Sequence, residues 1–269
     1  MTLRYNRRDP ATQWRTNPVA TFLLNPLDQV AHSRGERLRE KLKLDELPDD
    51  LCIVLGGDGF MLQSIGKMGP GYTYLGLNCG RIGFLLNDED DDDRFVQALE
   101  TRQWQTMRFP RLSLQAETPN RESFSETALN DVYLERSSGQ SAHLRIALNG
   151  VEVVERLVCD GVIVSTALGS TAYSYSAGGA ATDPRVPCLH ITPICPHTPK
   201  LQPITLPLEA VVEMWCIDGH RRPVRAVADG RDCPEIHRAT ITNANSDIAL
   251  AFLEGHDFTA TLVRKILRA

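Results

Sequence analysis

The chain has 269 residues, with 34 acidic against 29 basic side chains and a net charge of −5. That length supplies one large or two modest cores, and the acidic balance excludes non-specific nucleic-acid binding. No apolar stretch reaches the length of a membrane span, the polar start (Arg4, Asn6, Arg7, Arg8, Asp9) is no signal peptide, and seven cysteines without a C-x-x-C pair read as reduced thiols of a cytoplasmic protein.

In chain order, residues 19–24 read as a first strand and 28–44 as a charged helix with Val30, Leu38 and Leu42 inward. The run 51–55, Leu-Cys-Ile-Val-Leu, is continuous and apolar, which suits a strand buried on both faces of a parallel sheet. It runs into Gly56-Gly57-Asp58-Gly59. Glycine lets a backbone amide approach a phosphate oxygen, and Met61, Leu62, Ile65 and Met68 place a helix start near Phe60, with its free N–H groups aimed at an anion. Gly56, Gly57 and Gly59 are therefore the candidate phosphate-binding positions. Asp58 either caps that helix or does chemistry, because a carboxylate beside phosphates is repelled unless it reacts or meets a cation. Spacing rules out a P-loop and the third glycine of a dinucleotide fingerprint.

Residues 72–77 predict a further strand, and Gly76 to Leu85 a strand-to-loop turn in which Asn78 can hold loop backbone. The acidic run 88–93 reads as a solvated loop whose last aspartates open a helix reaching 97–100. From Arg111 the pattern changes to short alternating segments. Asn130-Asp131 inside an apolar strand pattern is a bulge or a ligand contact. Asn149-Gly150 marks a type I′ hairpin between 144–148 and 151–154, and Asp218-Gly219 divides 211–217 from 224–228. Seven prolines between 184 and 207 mark a long connection without regular helix. The histidines show no H-E-x-x-H spacing, so no dedicated metal site is expected.

The second glycine-rich block, 159–179, follows the buried strand pattern Val162-Ile163-Val164. Eight of the twelve residues from Ser165 to Ser176 carry a hydroxyl, suited to ribose hydroxyls and adenine edges, and Tyr173 can pack against a base. No G-x-S-x-G elbow is present. The two blocks together point to a nucleotide kinase.

These residues resemble the NAD kinase family, ATP-dependent NAD 2′-phosphotransferases, from about residue 51 to about 230. The motifs that carry the resemblance are Gly-Gly-Asp-Gly at 56–59, Asn78 to Leu85, Asn130-Asp131, Asp160 to Gly179 and Thr192-Pro193-Ile194-Cys195-Pro196-His197. Gly-Gly-Asp-Gly alone is shared with diacylglycerol kinases; the later motifs are specific. The resemblance implies an α/β fold: an N-terminal Rossmann-like α/β domain (1–108), a β-rich, β-sandwich-like substrate domain (109–245) and a C-terminal segment (246–269) packing back on the first. It implies Asp58 as catalytic base on the adenosine 2′-hydroxyl and as a contact of the substrate's riboses, with Gly59 and Phe84 lining the dinucleotide pocket. Asn130 and Asp131 hold the adenosine half, as do Thr171, Ala172, Tyr173 and Ser176. Asp160 reaches the nicotinamide end from a neighbouring subunit, so a homodimer or homotetramer is implied. Mg²⁺ arrives with ATP and no organic cofactor is tightly bound. The chain departs from the family at Phe60 (often Thr), at Asp131 (usually Glu), at Ala167-Leu168 (usually Pro then Thr or Ser) and at Ala180 (usually Pro), changes that bear on substrate preference. The competing readings are a related kinase acting on a lipid hydroxyl and a dinucleotide-binding regulator without catalysis.

Overall fold

The computed structural model describes residues 19–80 and 83–268. The first sheet runs β1 (Thr21–Leu24), β2 (Leu51–Gly56), β3 (Thr73–Asn78), β17 (Ile248–Leu253) and β4 (Trp104–Phe109), parallel except for the last pair. All six residues of β2 are buried because the sheet is covered twice. Leu51, Ile53 and Leu55 face Ala31 and Leu38 of α1 (Gln29–Lys41) and Phe95 and Leu99 of α3 (Asp92–Glu100). Cys52 and Val54 share the opposite layer with Met61 and Ile65 of α2 (Asp58–Met68) and Phe258 of α5 (Phe258–Arg268). Period two in the strand thus feeds two cores from one apolar run.

The remaining strands form two antiparallel six-stranded sheets. The second holds β12 (Ile204–Pro207), β11 (Cys188–Ile194), β10 (Gly161–Thr166), β7 (Asp131–Arg136), β14 (Val224–Ala228) and β15 (Arg231–Glu235), in that order. The third holds β6 (Ser123–Ala128), β5 (Leu112–Glu117), β16 (Arg238–Asn243), β13 (Val212–Cys216), β8 (Ala142–Leu148) and β9 (Val151–Cys159). They pack as a sandwich: Val132, Leu134, Val162, Val164 and Ala226 share one core with Leu114, Leu144, Ile146, Val212, Met214 and Ile241. Alternation then puts Asp131, Tyr133 and Glu135 on the other face of β7. On that side the chain folds a 3₁₀ turn (Leu168–Thr171) and the single-turn helix α4 (Tyr173–Ser176).

Several expectations are corrected. Val30 is exposed (58 %), since the buried stripe of α1 runs through Ala31, Arg34 and Leu38 and Val30 lies about 100° off it. The proline-rich stretch contains strands β11 and β12; Pro193 is tolerated in β11 because β12 pairs only with Cys188 to Ile191 and stops short of it. Asn149-Gly150 is a type I′ turn (φ 51° and 78°) joining β8 to β9. Asp218, also at positive φ (58°), instead leads the chain from β13 in one sheet to β14 in the other. The acidic run is more than a solvated loop. Asp91 caps α3, Asp92 pairs with Arg34 and Arg37, and Asp93 pairs with Lys41, so its carboxylates staple α3 to α1. All seven cysteines are free thiols, and Cys195 is exposed.

Candidate active site

Asp58 sits where β2 ends and α2 begins. It does not cap the helix: the N-cap is Gly57, which makes no side-chain cap hydrogen bond. The Asp58 carboxylate instead accepts the Phe84 N–H (3.0 and 2.9 Å to its two oxygens) and the Leu85 N–H (3.0 Å). Gly83 packs tightly beside it, since an added Cβ would lie 2.8 Å from the Leu86 side chain and 3.0 Å from the carboxylate. These bonds aim one carboxylate at the carboxyl edge of a parallel sheet, where α/β folds bind ligands. Beyond their own chain neighbours and helix backbone, a Cβ at Gly57 or Gly59 would meet nothing within 4 Å among the described residues, which leaves that space for a phosphate. At the start of α2 the Phe60 and Met61 N–H groups donate to the Gly57 carbonyl (3.0 and 3.1 Å), and the positive end of the helix dipole faces the glycine loop. Asn78 does hold its loop, accepting from the Gly80 N–H (3.0 Å) and donating to Asp88 (2.8 Å).

One turn along α2 from Asp58, Leu62 enters the wall of a cavity of about 380 Å³. Its other lining residues are Asn130, Asp131, Tyr133, Ala172, Tyr173, Asp229 and Gly230. The Asn130-Asp131 pair is no bulge, because β7 keeps unbroken register with both neighbours. The Asn130 Oδ1 is buried and has no hydrogen-bond partner among the described residues. Asp131 is 5 % exposed, and burial, with Asp229 close by, pushes its carboxyl up to about 7. The Tyr173 ring meets Tyr133 edge-on at 5.0 Å. The cavity therefore offers an unpaired acceptor, a second polar group with a labile proton, and aromatic and aliphatic walls, a fit for a flat heterocycle bearing an amino group.

Tyr173 also borders a neighbouring cavity of about 340 Å³ lined by Glu135, Arg136, Asp160, Ile194 and Arg225. There Asp160 is held by Arg136 at 2.7 Å, and Glu135 by Arg225 at 2.6 Å. The structure thus brings Asn130, Asp131, Ala172 and Tyr173 together and puts Asp160 next door. Asp58, Gly56, Gly57, Gly59, Phe84, Thr171 and Ser176 line neither cavity. Gly59 and Ser176 are exposed, whereas the Phe84 ring is buried (4 %) and contributes its N–H. Half of the eight hydroxyls between 165 and 176 do internal work or are enclosed. Thr166 accepts the Gly169 N–H and donates to Leu129, Ser170 holds Thr182, Ser174 holds Thr192, and Ser165 is fully buried. Sequence reasoning missed Leu62, Tyr133, Asp229 and Gly230. The Asp-Gly turn signal at 229–230 and the period-two step from Asp131 to Tyr133 were the available clues.

A groove of about 940 Å³ lies elsewhere, on the outer face of the third sheet, between Arg145, Arg156, Trp215 and His237. It is open and, among the described residues, holds no orphaned buried side-chain atom, so the chemistry is better supported at the smaller cavity beside α2.

Residues 129–250, which begin two residues before β7, match the family model of the ATP-NAD kinase C-terminal domain. An NAD kinase of Brucella suis is 35 % identical over 225 residues, covering 81 % of this chain and 85 % of the relative. Among solved structures, an NAD kinase from Archaeoglobus fulgidus in complex with ATP superposes with a TM-score of 0.76 at 25 % identity (93 % of this chain, 99 % of that one). Yeast NADH kinase complexed with NADH superposes at 0.77 and 22 % identity (94 % and 87 %), a likeness of fold. With a third of its residues shared along four fifths of its length, and the sheet-edge carboxylate and heterocycle-sized cavity both built, the chain belongs to the NAD kinase family.

Proposed function

We propose that the chain transfers the γ-phosphate of ATP to the 2′-hydroxyl of the adenosine ribose of NAD, giving NADP. The observation that carries this reading is the orphaned Asn130 acceptor beside Asp131, in a cavity whose wall is one helical turn from Asp58. Adenine would occupy the cavity, with its amino group on Asn130 and Asp131 and its ring against Tyr173 and Leu62. The ribose would then lie toward Asp58. As the 2′-oxygen attacks the γ-phosphorus, Asp58 takes its proton, the bond to the β–γ bridging oxygen breaks and ADP leaves. The Gly56 to Gly59 backbone and the start of α2 stabilise the phosphoryl oxygens. Mg²⁺ enters as part of the MgATP substrate. Among the described residues no three His, Cys, Asp or Glu side chains gather as a cage, and Asp58 is the carboxylate beside the glycine loop. Thr171 and Ser176 complete the ribose contacts, and Phe84 shapes the floor of the site. Purified protein given NAD and MgATP is expected to form NADP, read by an NADP-specific dehydrogenase. Phosphorylation of a lipid hydroxyl with none of NAD would reverse the assignment.

The proposed domains are 1–108, 109–245 and 246–269. The working unit is a homodimer or homotetramer in which Asp160 serves the nicotinamide end of a neighbouring site. Asp58→Asn and Asp160→Asn chains, each inactive alone, should then regain part of the activity when mixed, because hybrid oligomers hold one site with both carboxylates. A fully active monomer in light scattering at assay concentration would overturn the shared site. No helix among the described residues is long and apolar enough to cross a membrane, and the free thiols suit a reducing compartment; we place the protein in the cytoplasm.

A further inference from the structure

Asp229 lies outside every motif that pointed to the site, yet it holds the site's central segment. Its carboxylate, 5 % exposed, accepts three consecutive backbone N–H groups: Leu129 at 2.7 Å on Oδ2, and Asn130 at 2.8 Å and Asp131 at 3.3 Å on Oδ1. Its own N–H donates to the Asp131 carbonyl at 3.0 Å. Asp229 and Gly230, at φ 46° and 73°, form the two-residue type I′ turn between β14 and β15, with Ala228 opposite Arg231.

The choice of aspartate there needs explaining. The matching turn on the third sheet uses Asn149, whose Oδ1 accepts from the Val211 N–H at 2.8 Å. Asparagine suits a type I′ turn equally well and carries no charge. A carboxylate at 229 is buried close to a second acid, Asp131, an arrangement that raises both acids through burial and, for Asp131, through the Asp229 charge. What only a carboxylate supplies is two acceptor oxygens; the NH₂ of an asparagine would oppose the Leu129 N–H or the other two.

We propose that Asp229 is a positioning residue for substrate binding: it clamps residues 129–131 so that the Asn130 and Asp131 side chains face the adenine cavity in one arrangement. The inference rests on the reading of that cavity as the adenosine site. The clamp also places a second carboxylate beside Asp131, and its charge raises the Asp131 carboxyl. The other groups around Asp131 are Tyr133 on β7 and Tyr173 on α4, with Arg231 on β15 at 4.0 Å from Asp229; β10 brings Ser165 and α2 brings Leu62, neither of them charged. An ionised Asp131 accepts from an amino group, so NAD binding should strengthen as pH rises through about 7.

Asp229→Asn tests this by calorimetric NAD binding from pH 5.5 to 8.5, alongside steady-state kinetics. Expected are a rise in the NAD Kd and KM of about tenfold, the scale of one lost charge-assisted hydrogen bond, with kcat and the KM for ATP changed far less. The inflection of Kd with pH should also move to lower pH, because the neighbouring negative charge is gone. Should the asparagine variant fail to fold, Asp229→Gly keeps a type I′ turn and must show the same split. An unchanged Kd and inflection would overturn the proposal, as would parallel losses in kcat and both KM values. Failure of wild-type protein to bind NAD would instead overturn the adenosine reading.

Discussion

Asp58→Asn is expected to lower kcat for NADP formation by about 10²-fold or more, the scale of a lost general base, while NAD still binds. Asparagine has the size of aspartate but cannot take the 2′-hydroxyl proton at neutral pH. The variant also tests the anchoring of the residue. Three N–H···O contacts from Phe84 and Leu85 hold the carboxylate, and the amide can present an oxygen to only one side. A stability loss of about 1 kcal/mol should therefore accompany the kinetic one, visible as a few degrees in Tm. Since Asp58 lines neither cavity, NAD affinity should stay within a few fold. Undiminished turnover would sink the role of Asp58.

Gly169→Ala should be almost as damaging from a position no ligand need touch. A Cβ there would lie 2.1 Å from the Asn130 carbonyl oxygen and 2.4 Å from its carbonyl carbon, both backbone atoms. The 3₁₀ turn is already pinned to that backbone through Thr166, so neither side can yield cheaply. Overpacking of this kind costs about 1–3 kcal/mol. Relief requires a displacement of about an ångström between Asn130 and Ala172, and such misplacement costs on the order of 10²-fold in rate. Thermal melting and NADP formation should fall together, whereas Gly139→Ala, exposed and with nothing within 4 Å of its Cβ, should match wild type. A Gly169→Ala enzyme with full activity would show that the turn does not set the Asn130 position.

What the sequence made legible was local. The run 51–55 announces a doubly covered strand because both faces must be apolar, and Asn149-Gly150 announces its turn because few residues accept positive φ twice. Asp58 stands out because a carboxylate among phosphate-shaped glycines needs a reason. Partners distant along the chain left no such trace. Nothing near residue 58 shows that its carboxylate meets Phe84, and nothing near 229 shows that this turn grips 129–131. Four of the eight hydroxyls of 165–176 turn inward, which the sequence hid for a related reason, since a serine bound to ligand and one buried against Thr192 look alike in sequence. Prolines misled at β11, where one side of the ladder is simply vacant.

The first sheet has a further implication for how the chain becomes a protein. Its strand β17 lies between β3 and β4, with Leu250 opposite both Tyr74 and Met107. During synthesis, every strand of the two antiparallel sheets emerges before β17 does. The sandwich can close while the ribosome is still at work; the first sheet must wait with β3 and β4 unjoined and their facing edges unsealed. Association between nascent chains should therefore be greatest after residues 1–247 are exposed. A chaperone that shields bare strand edges should raise the yield of folded protein chiefly by protecting β3 and β4 through that interval.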